Sequence, residues 1–272
     1  MADGRAIGVF DSGLGGLTVA KEIIKRLPKE NIVYFGDTGR VPYGTRSRET
    51  IRKYAAQDER FLLKHDVKLI VAACGTVSSV AADVSHNLPV PFFEMVTHAA
   101  AAAVNKTKNR KIGVIGTSAT VMSESHKKEI LKLMPDAEVT AASCSLFVPM
   151  VEEGWFSPED IVVKETVRRY LQPIIESGCD TLILGCTHYP VLEEVIRRAV
   201  GENVALINPG VAVAEAVAEY LEKNGMSAES RASGRHVFFV SDKPYSFKNQ
   251  ASVLLGEEID DRKVKQVDLS SL

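Results

Sequence analysis

The chain reads Leu69-Ile-Val-Ala-Ala-Cys-Gly-Thr76 in its first half and Leu182-Ile-Leu-Gly-Cys-Thr187 in its second. In both stretches an unbroken apolar run gives way to a cysteine and a threonine, and a helical pattern follows. Unbroken apolar strands joined by helices are typical of parallel sheets that are covered on both faces. Each stretch therefore predicts a buried parallel strand with the Cys and Thr at its carboxyl end, where such sheets place their chemistry.

The same alternation of elements continues along the chain. Apolar runs predict strands at Ala6–Phe10, Asn31–Gly36, Val67–Ala73, Lys111–Ile115, Ala137–Ala142, Thr181–Leu184, Ala205–Ile207 and Val237–Val240. Amphipathic stretches predict helices at Leu17–Leu27, Ser47–His65, Ser123–Leu133, Pro158–Ser177, Val191–Val200 and Val211–Lys223. This order predicts an α/β protein with mostly parallel sheets flanked by helices.

A second repeat divides the chain into halves. The opening strand and loop, Ile7-Gly-Val-Phe-Asp-Ser-Gly13, are echoed by Ile112-Gly-Val-Ile-Gly-Thr-Ser118. The Asp of the first loop and the Thr of the second precede the cysteines of their halves by 63 and 69 residues. We therefore expect two similar α/β domains, pseudo-symmetric about a cleft between them.

The domain boundaries follow from the end of the second half. Asn208-Pro-Gly210 breaks the pattern there, and a helix and a final strand remain. A remainder of that size is too small to be a domain, so we expect it to pack onto the first half and make that domain discontinuous. The expected boundaries are residues 1–97 plus 209–272 for the first domain, which carries Cys74, and residues 98–208 for the second, which carries Cys186.

The composition excludes several classes of protein. With 45% hydrophobic residues, the 272-residue chain is too apolar to be disordered. Its 33 Lys and Arg against 35 Asp and Glu give no basic excess for binding nucleic acid. The apolar run Ala99–Val104 is shorter than the roughly 20 residues of a membrane span, and the first five residues lack a signal-peptide layout. A soluble, cytoplasmic protein that needs neither nucleic acid nor membrane is expected.

Two of the four cysteines lie where chemistry is expected. None of the four forms a C-x-x-C pair or a usual zinc spacing, and a disulfide framework is unusual in a chain of this class, so we expect no metal. Cys144 and Cys179 lack a functional context and are predicted to be structural. Cys74 and Cys186 each follow a strand and precede a helical pattern, and a helix N-terminus lowers the pKa of a thiol. The alternative is that each is a small buried apolar residue.

Two thiols facing each other across a cleft suit proton transfer at a carbon acid. A thiolate on one face removes a proton and a thiol on the other face returns one, which inverts the stereocentre without a metal or organic cofactor. A papain-like nucleophile needs one Cys and one His, and it leaves the second cysteine unexplained. A dithiol redox centre more often uses C-x-x-C, although distant partners stay open.

The loops of the first half supply further candidates. The loop Asp11-Ser-Gly-Leu-Gly-Gly-Leu17 allows close approach of backbone N–H groups to a ligand. It lacks the G-x-G-x-x-G spacing and the P-loop Lys, so a small anion such as a carboxylate is expected there. Asp11 either caps the helix, or tunes a thiol or holds a substrate ammonium. The polar stretch from Tyr34 to Gly44 is expected to form a cleft wall, in which Arg40 and Arg46 need be no more than solvated charges.

The second half offers matching candidates. His188 lies two residues beyond Cys186 and is interpreted as a partner of the thiol or of a carboxylate rather than as a structural His. Glu152 and Glu153 lie in a loop-like stretch, where surface charge is the alternative. Hydroxyl groups and backbone donors at the equivalent strand end come from Thr117, Ser118 and Thr120.

Seven segments carry a family resemblance: Gly8-Val-Phe-Asp-Ser-Gly-Leu-Gly-Gly-Leu-Thr18, Tyr34-Phe-Gly-Asp-Thr38, Val41-Pro-Tyr-Gly44, Ala73-Cys-Gly-Thr76, Ile115-Gly-Thr-Ser-Ala-Thr120, Val148-Pro-Met-Val-Glu-Glu-Gly-Trp155 and Leu184-Gly-Cys-Thr-His-Tyr-Pro190. Together they resemble the glutamate racemase family of the aspartate/glutamate racemase superfamily, over nearly the whole chain. The resemblance implies cofactor-independent interconversion of L- and D-glutamate between two α/β domains. It also implies a homodimer, and a supply of D-glutamate for peptidoglycan synthesis, cell-wall biogenesis and cell shape.

The resemblance also implies roles for individual residues. Cys74 and Cys186 are the two acid/base residues, the first acting on the D-enantiomer and the second on the L-enantiomer. Asp11 and His188 assist them, and Glu152 matches a further auxiliary residue. The implied substrate contacts are Asp11, Ser12, Pro42, Tyr43, Gly44, Gly75, Thr76, Thr117, Thr120, Thr187 and His188. No lysine lies in a candidate site loop, so no pyridoxal phosphate is expected.

Two segments depart from the family pattern. The usual Ala-Cys-Asn-Thr reads Ala73-Cys-Gly-Thr76, and a segment that often ends in Ile-x-Pro reads Met95-Val-Thr-His98. Gly75 has no side-chain amide, which leaves room for water or another group. It therefore keeps open a related racemase acting on aspartate or another small acidic substrate. A third hypothesis is a non-catalytic binder with the same fold, against which the two thiols argue.

Overall fold

The structure is a computed structural model and describes residues 3–229, 232–243 and 247–269. Its strands are β1 (Ile7–Asp11), β2 (Ile32–Gly36), β3 (Leu69–Ala72), β4 (Phe92–Glu94), β5 (Lys111–Gly116), β6 (Glu138–Ser143), β7 (Thr181–Leu184), β8 (Ala205–Ile207), β9 (His236–Val240) and β10 (Val264–Gln266). Its helices are α1 (Leu17–Arg26), α2 (Arg48–Leu63), α3 (Gly75–Val80), α4 (Met95–Lys106), α5 (Ser118–Ser123), α6 (Ser125–Leu133), α7 (Phe147–Glu152), α8 (Ile161–Glu176), α9 (Glu193–Val200), α10 (Pro209–Lys223) and α11 (Phe247–Leu255).

The strands form two parallel sheets. The first has the order β10-β9-β2-β1-β3-β4 and the second the order β6-β5-β7-β8. In the first, Ile7 of β1 pairs with both Ile32 and Leu69, and in the second Ile112 of β5 pairs with Thr181. The central strands are buried along their whole length, which is why they read as unbroken apolar runs.

The two sheets share one arrangement. The order β2-β1-β3-β4 in the first corresponds strand for strand to β6-β5-β7-β8 in the second. The expected α/β class, with two similar domains related by pseudo-symmetry, is confirmed. The first sheet is longer because β9 and β10 pair beyond β2, so the chain returns to its first sheet after completing the second.

The hydrophobic core is continuous between the two sheets. One cluster of buried side chains extends from Leu17 and Val71 beside the first sheet, through Met95, to Leu184 and Leu171 in the second domain. Helix α10 packs against both α1 and α4 along this path. The facing strand ends are therefore held on a shared core. Within the described residues, no helix is both long and apolar enough to span a bilayer.

Several elements differ from the sequence prediction. Strands β4 and β10 were not expected, because each has three residues that include polar ones, whereas the equally short β8 is wholly apolar and was predicted. The predicted helix Ser123–Leu133 corresponds to α6, which is preceded by the separate helix α5. The break falls at Glu124, whose φ of 53° is left-handed. The prediction that a helix and one final strand end the chain is wrong, since α11 and β10 follow β9.

Candidate active site

The candidate residues lie at the carboxyl ends of two pairs of neighbouring strands. In the first sheet, β1 ends at Asp11, and β3, its neighbour, leads into Cys74. In the second, β5 leads into Thr117, and its neighbour β7 leads into Cys186. Because parallel strands end at one edge of their sheet, each domain brings one polar loop and one thiol to that edge.

Cys74 lies in a dry environment. It is 4% exposed, and its thiol donates a hydrogen bond to Ser12 Oγ at 3.4 Å. Burial, and then the negative charge of Asp11, raise the pKa of Cys74 to about 12. The expectation that a helix N-terminus lowers this pKa is therefore wrong. Cys74 does directly precede α3, but that helix has only six residues and does not offset the loss of water.

Asp11 is the acidic group whose charge acts on Cys74. It is 1% exposed, and its Oδ2 accepts a hydrogen bond from the Gly13 N–H at 3.0 Å. Its Oδ1 has no hydrogen-bond partner within the described part of the chain. Burial raises the pKa of Asp11, and the charge of His188 and nearby backbone N–H groups only partly oppose this. Oδ1 is thus a buried acceptor available to a proton or to an ammonium group.

Cys186 belongs to a linear arrangement of three side chains. His188 Nδ1 lies 3.9 Å from Cys186 Sγ, and His188 Nε2 lies 3.1 Å from Glu152 Oε1. Burial lowers the pKa of His188, but its hydrogen bonds to Cys186 and Glu152 outweigh burial and raise the pKa to about 10. The raised pKa favours the imidazolium form of His188, which carries an N–H on each ring nitrogen and so has one toward Cys186 Sγ and one toward Glu152 Oε1.

The backbone explains how these three side chains meet. The expectation that Cys186 directly precedes an α-helix is wrong. A 3₁₀ turn at Tyr189–Leu192 follows it, and α9 begins at Glu193. Glu152 is the last residue of α7 rather than part of a loop, which was the expectation. Its carbonyl accepts a hydrogen bond from Gln250 Nε2 of α11 at 3.1 Å. The C-terminal helix thus fixes the outer member of the arrangement.

Hydroxyl groups connect the two domains beside the thiols. Thr76 Oγ1 lies 3.2 Å from Thr117 Oγ1, which lies 3.0 Å from Thr120 Oγ1. Thr18, which sequence analysis did not single out, donates through Oγ1 to the Thr187 carbonyl at 2.8 Å. Thr117 directly follows β5, and Thr18, Thr76 and Thr120 lie in the first turns of α1, α3 and α5. The expected substrate-contact residues of the two halves are thus in mutual contact.

Gly75 lies against the backbone of the opposite cysteine loop. A Cβ placed on Gly75 would lie 2.5 Å from the Gly185 carbonyl oxygen and 3.6 Å from Cys186 Cα. The space left by the missing side chain is thus occupied by backbone of the opposite loop. Water or another group was expected to fill this space, and the group that lies there is the Gly185 carbonyl.

The expected contacts at Pro42, Tyr43 and Gly44 divide into two kinds. Gly44 faces the second domain, since a Cβ placed on it would lie 3.3 Å from Thr117 Cβ. Pro42 is exposed. Tyr43 is 1% exposed, and its hydroxyl contacts the carboxyl groups of Asp37 and Asp58.

Sequence analysis missed the role of these acidic residues and of Arg40, which pairs with both rather than lying free in solvent. The sequence of α2 did contain a pattern that could have indicated this cluster. Asp58 falls on the buried face of the helix together with Ala55, Glu59 and Leu62. An acidic side chain on an apolar face implies a buried partner.

The remaining candidates are accounted for more simply. Cys144 and Cys179 are buried, and burial raises the pKa of both thiols, to about 12 for Cys144. Ser118 Oγ lies 2.9 Å from Ser143 Oγ, away from the thiols. Throughout residues 3–229, 232–243 and 247–269, no three His, Cys, Asp or Glu side chains are grouped so that they could hold a metal ion.

Comparison with known proteins gives consistent results. The family model described as Asp/Glu/Hydantoin racemase matches residues 7–217. A curated glutamate racemase of Geobacter metallireducens is 44% identical over 268 residues, which cover 98% of this chain and 98% of that protein.

Solved structures are similar over the full length. A glutamate racemase of Francisella tularensis in complex with D-glutamate is 37% identical, with a TM-score of 0.92 over 99% of this chain and 100% of that one. A glutamate racemase of Thermus thermophilus in complex with β-chloro-D-alanine is 40% identical, with a TM-score of 0.88 over 100% of both chains. The resemblance seen in the seven sequence segments is confirmed.

Proposed function

We propose that this chain, which belongs to the Asp/Glu/Hydantoin racemase family, interconverts L- and D-glutamate by moving the α-proton between Cys74 and Cys186. The prediction of a racemase is confirmed by the family; the substrate and the two-cysteine mechanism are our proposal. The observation that carries it is the placing of one buried thiol at the equivalent strand end of each domain, each with its own polar partner.

The different surroundings of the two thiols suit them to opposite starting states. We propose that Cys186, whose Sγ faces His188 Nδ1 at 3.9 Å, starts as the thiolate, and that Cys74, whose pKa is raised by burial and by Asp11, starts as the thiol. A two-base reaction needs one thiolate and one thiol at rest. In the L-to-D direction, the Cys186 thiolate removes the α-proton and the Cys74 thiol donates its own to the opposite face of the same carbon. Cys74 is left as a thiolate and Cys186 as a thiol, so the reverse reaction starts from the opposite states.

Two further groups complete the proposed mechanism. After Cys74 has donated its proton, Asp11 Oδ1 is the buried acceptor beside it that holds the substrate ammonium or receives a proton. The hydroxyl groups of Thr76 and Thr117, which meet between the domains, are placed to bind a carboxylate. Preorganised donors of this kind stabilise the negative charge that develops as the α-proton leaves. Ser12, Thr120 and Thr187 are proposed to contact the substrate as well.

The first prediction concerns the substrate and the proton. Incubation of the purified protein with L-glutamate in D2O is expected to give D-glutamate with deuterium at Cα, because each thiol exchanges with solvent. The products are followed by chiral separation and mass analysis, with L-aspartate as a parallel substrate. Exchange on aspartate but not on glutamate would replace our proposal by the alternative that Gly75 leaves open. Exchange on neither would remove the proposal of a racemase of acidic amino acids.

A second prediction concerns pH. The folded-state pKa of His188, about 10, lies above its unfolded value. The contribution of the imidazolium to the free energy of unfolding is therefore complete below about pH 6.5 and is lost as pH rises through about 10. The imidazolium form of the folded enzyme is lost over the same rise through about pH 10. Glu152→Gln removes one of the two partners that raise this pKa. The alkaline limb of kcat/KM is therefore expected to move down by about one pH unit.

The matched control is Glu153→Gln, since Glu153 is the exposed neighbour of Glu152. Its pH profile of kcat/KM is expected to overlay that of the wild type. An unchanged profile for Glu152→Gln would show that Glu152 does not stabilise the imidazolium.

The wider setting follows from the same function. We propose that residues 1–97 plus 209–272 and residues 98–208 are the two domains, to be tested by proteolysis at the joints. We propose a cytoplasmic homodimer, with sedimentation equilibrium as its test. We also propose that the product supplies peptidoglycan synthesis, so that depletion of the protein in its host should be relieved by added D-glutamate.

A further inference from the structure

A buried polar cluster lies beneath the loop between β2 and α2 and consists of Asp37, Arg40, Tyr43 and Asp58. Arg40 Nε donates to Asp37 Oδ2 at 2.5 Å, and Nη2 donates to Asp58 Oδ1 at 3.1 Å. The Tyr43 hydroxyl donates to Asp37 Oδ2 and lies 3.0 Å from Asp58 Oδ2. The guanidinium also covers the ring of Tyr54, 4.0 Å from its centroid. Arg40 thus binds both carboxyl groups, and Tyr43 joins the cluster through its hydrogen bonds to the same two groups.

One cation, Arg40, faces the two carboxyl groups of this cluster. Burial, and then the charge of Asp37, raise the pKa of Asp58, which favours its neutral form. The Tyr43 hydroxyl donates toward oxygens of both Asp37 and Asp58. Ser241 Oγ donates to the second oxygen of Asp37 at 2.8 Å. Each carboxyl group thus accepts from both Arg40 and Tyr43, as buried acidic groups require.

The loop above this cluster contacts both sides of the active site. Val41 packs over Gly13, where an added Cβ would lie 3.2 Å from Val41 Cγ2. Gly44 faces Thr117 of the second domain. Tyr43, which lies between these two contacts, is the side chain that enters the cluster. The position of residues 41–44 relative to the thiol loops therefore depends on where the cluster holds Tyr43.

We propose that Arg40 and Asp58 are positioning residues of the racemase, which act through Tyr43 to hold the backbone of Pro42 to Gly44 where it meets the substrate. The hydroxyl of Tyr43 is used in hydrogen bonds to Asp37 and Asp58, so only the backbone of this residue is left to contact the substrate. The inference rests on the proposed racemisation of glutamate, because it concerns how that substrate is bound.

Tyr43→Phe and a pair of Asp58 variants test the proposal. Tyr43→Phe removes only the hydroxyl, which leaves a buried charged acceptor short of a donor and the loop less well held. It is expected to raise the KM for glutamate about tenfold, the effect of losing one hydrogen bond to a charged group. The kcat should change less than about threefold, since no thiol is moved. Asp58→Ala should act in the same way, whereas Asp58→Asn, a neutral group of the same shape, should keep KM within about twofold.

The matched control is Arg52→Ala. Arg52 also lies on α2 and pairs with an acidic residue, Asp83, but on the surface; its loss should leave KM unchanged. Thermal unfolding of every variant separates loss of stability from loss of binding. The proposal would be overturned if Tyr43→Phe folded and kept the wild-type KM. It would also be overturned if Asp58→Asn raised KM as much as Asp58→Ala does. If the wild type itself fails to racemise glutamate, it is the proposed function that fails; in an active wild type, either of the two outcomes just named rejects the positioning role.

Discussion

Replacing Cys74 or Cys186 by alanine is expected to abolish racemisation of glutamate while leaving α-proton exchange on one enantiomer. Removal of a positioned acid or base costs about 10²–10⁴-fold in rate, and in a two-base reaction neither thiol can replace the other across the cleft. Net inversion should fall by at least the upper part of that range. Loss of the α-proton to solvent with retention of configuration needs only the remaining base.

The remaining exchange distinguishes the two cysteines. Cys74→Ala keeps Cys186 with His188 and Glu152, so it should still exchange the α-proton of L-glutamate in D2O and leave D-glutamate unlabelled. Cys186→Ala should do the reverse, and more slowly, because burial and Asp11 disfavour a thiolate at Cys74. Proton NMR of each enantiomer, incubated separately, measures both.

Cys179→Ala is the matched control, since Cys179 is also a buried thiol but has no part in the proposed reaction. It should racemise glutamate at the wild-type rate. Normal racemisation by either Cys74→Ala or Cys186→Ala would remove the two-base assignment. Exchange of both enantiomers by one variant would point to a single base that reaches both faces.

The fold could be predicted well because the central strands are recognisable from their own residues, without knowledge of their partners. β1, β3, β5 and β7 are buried on both faces, so each is an unbroken apolar run in the sequence. β4 and β10 are short and include polar residues, unlike the apolar β8, so their existence depends on pairing with a neighbouring strand, which no local pattern reports. The return of the chain to its first sheet was expected from the size of the remainder, but its extra helix and strand were not.

The site was predictable where it consists of strand ends. Asp11, Cys74 and Cys186 could be proposed because parallel sheets place chemistry there. The cluster under Tyr43 could not, because Asp58 comes from a helix 15 residues away in sequence and meets Tyr43 only after packing. The pKa of Cys74 was misjudged for a related reason: its burial comes from packing with residues distant in sequence, such as Phe10 and Tyr43, whereas the expected helix effect is local.

Gly75→Ala is expected to lower kcat/KM for glutamate about 100-fold, although it adds a single methyl group. The added Cβ would lie 2.5 Å from the Gly185 carbonyl oxygen, an approach that real Cβ atoms essentially never show. That oxygen belongs to the backbone, so it cannot swing aside as a side chain would. The two cysteine loops must therefore separate by about 1 Å, and a misplacement of this size in a reacting geometry costs about 10²-fold.

A control variant makes this test specific. The equilibrium constant between enantiomers in water is one, so the fall in kcat/KM must be the same in both directions, which serves as an internal check on the measurement. Gly4→Ala is the matched control, because a Cβ on Gly4 meets nothing within 4 Å and should leave kcat/KM unchanged. If Gly75→Ala keeps full activity, the two loops react from a wider separation than the one seen here. The contact between Gly75 and Gly185 would then belong to a closed state that the chemistry does not require.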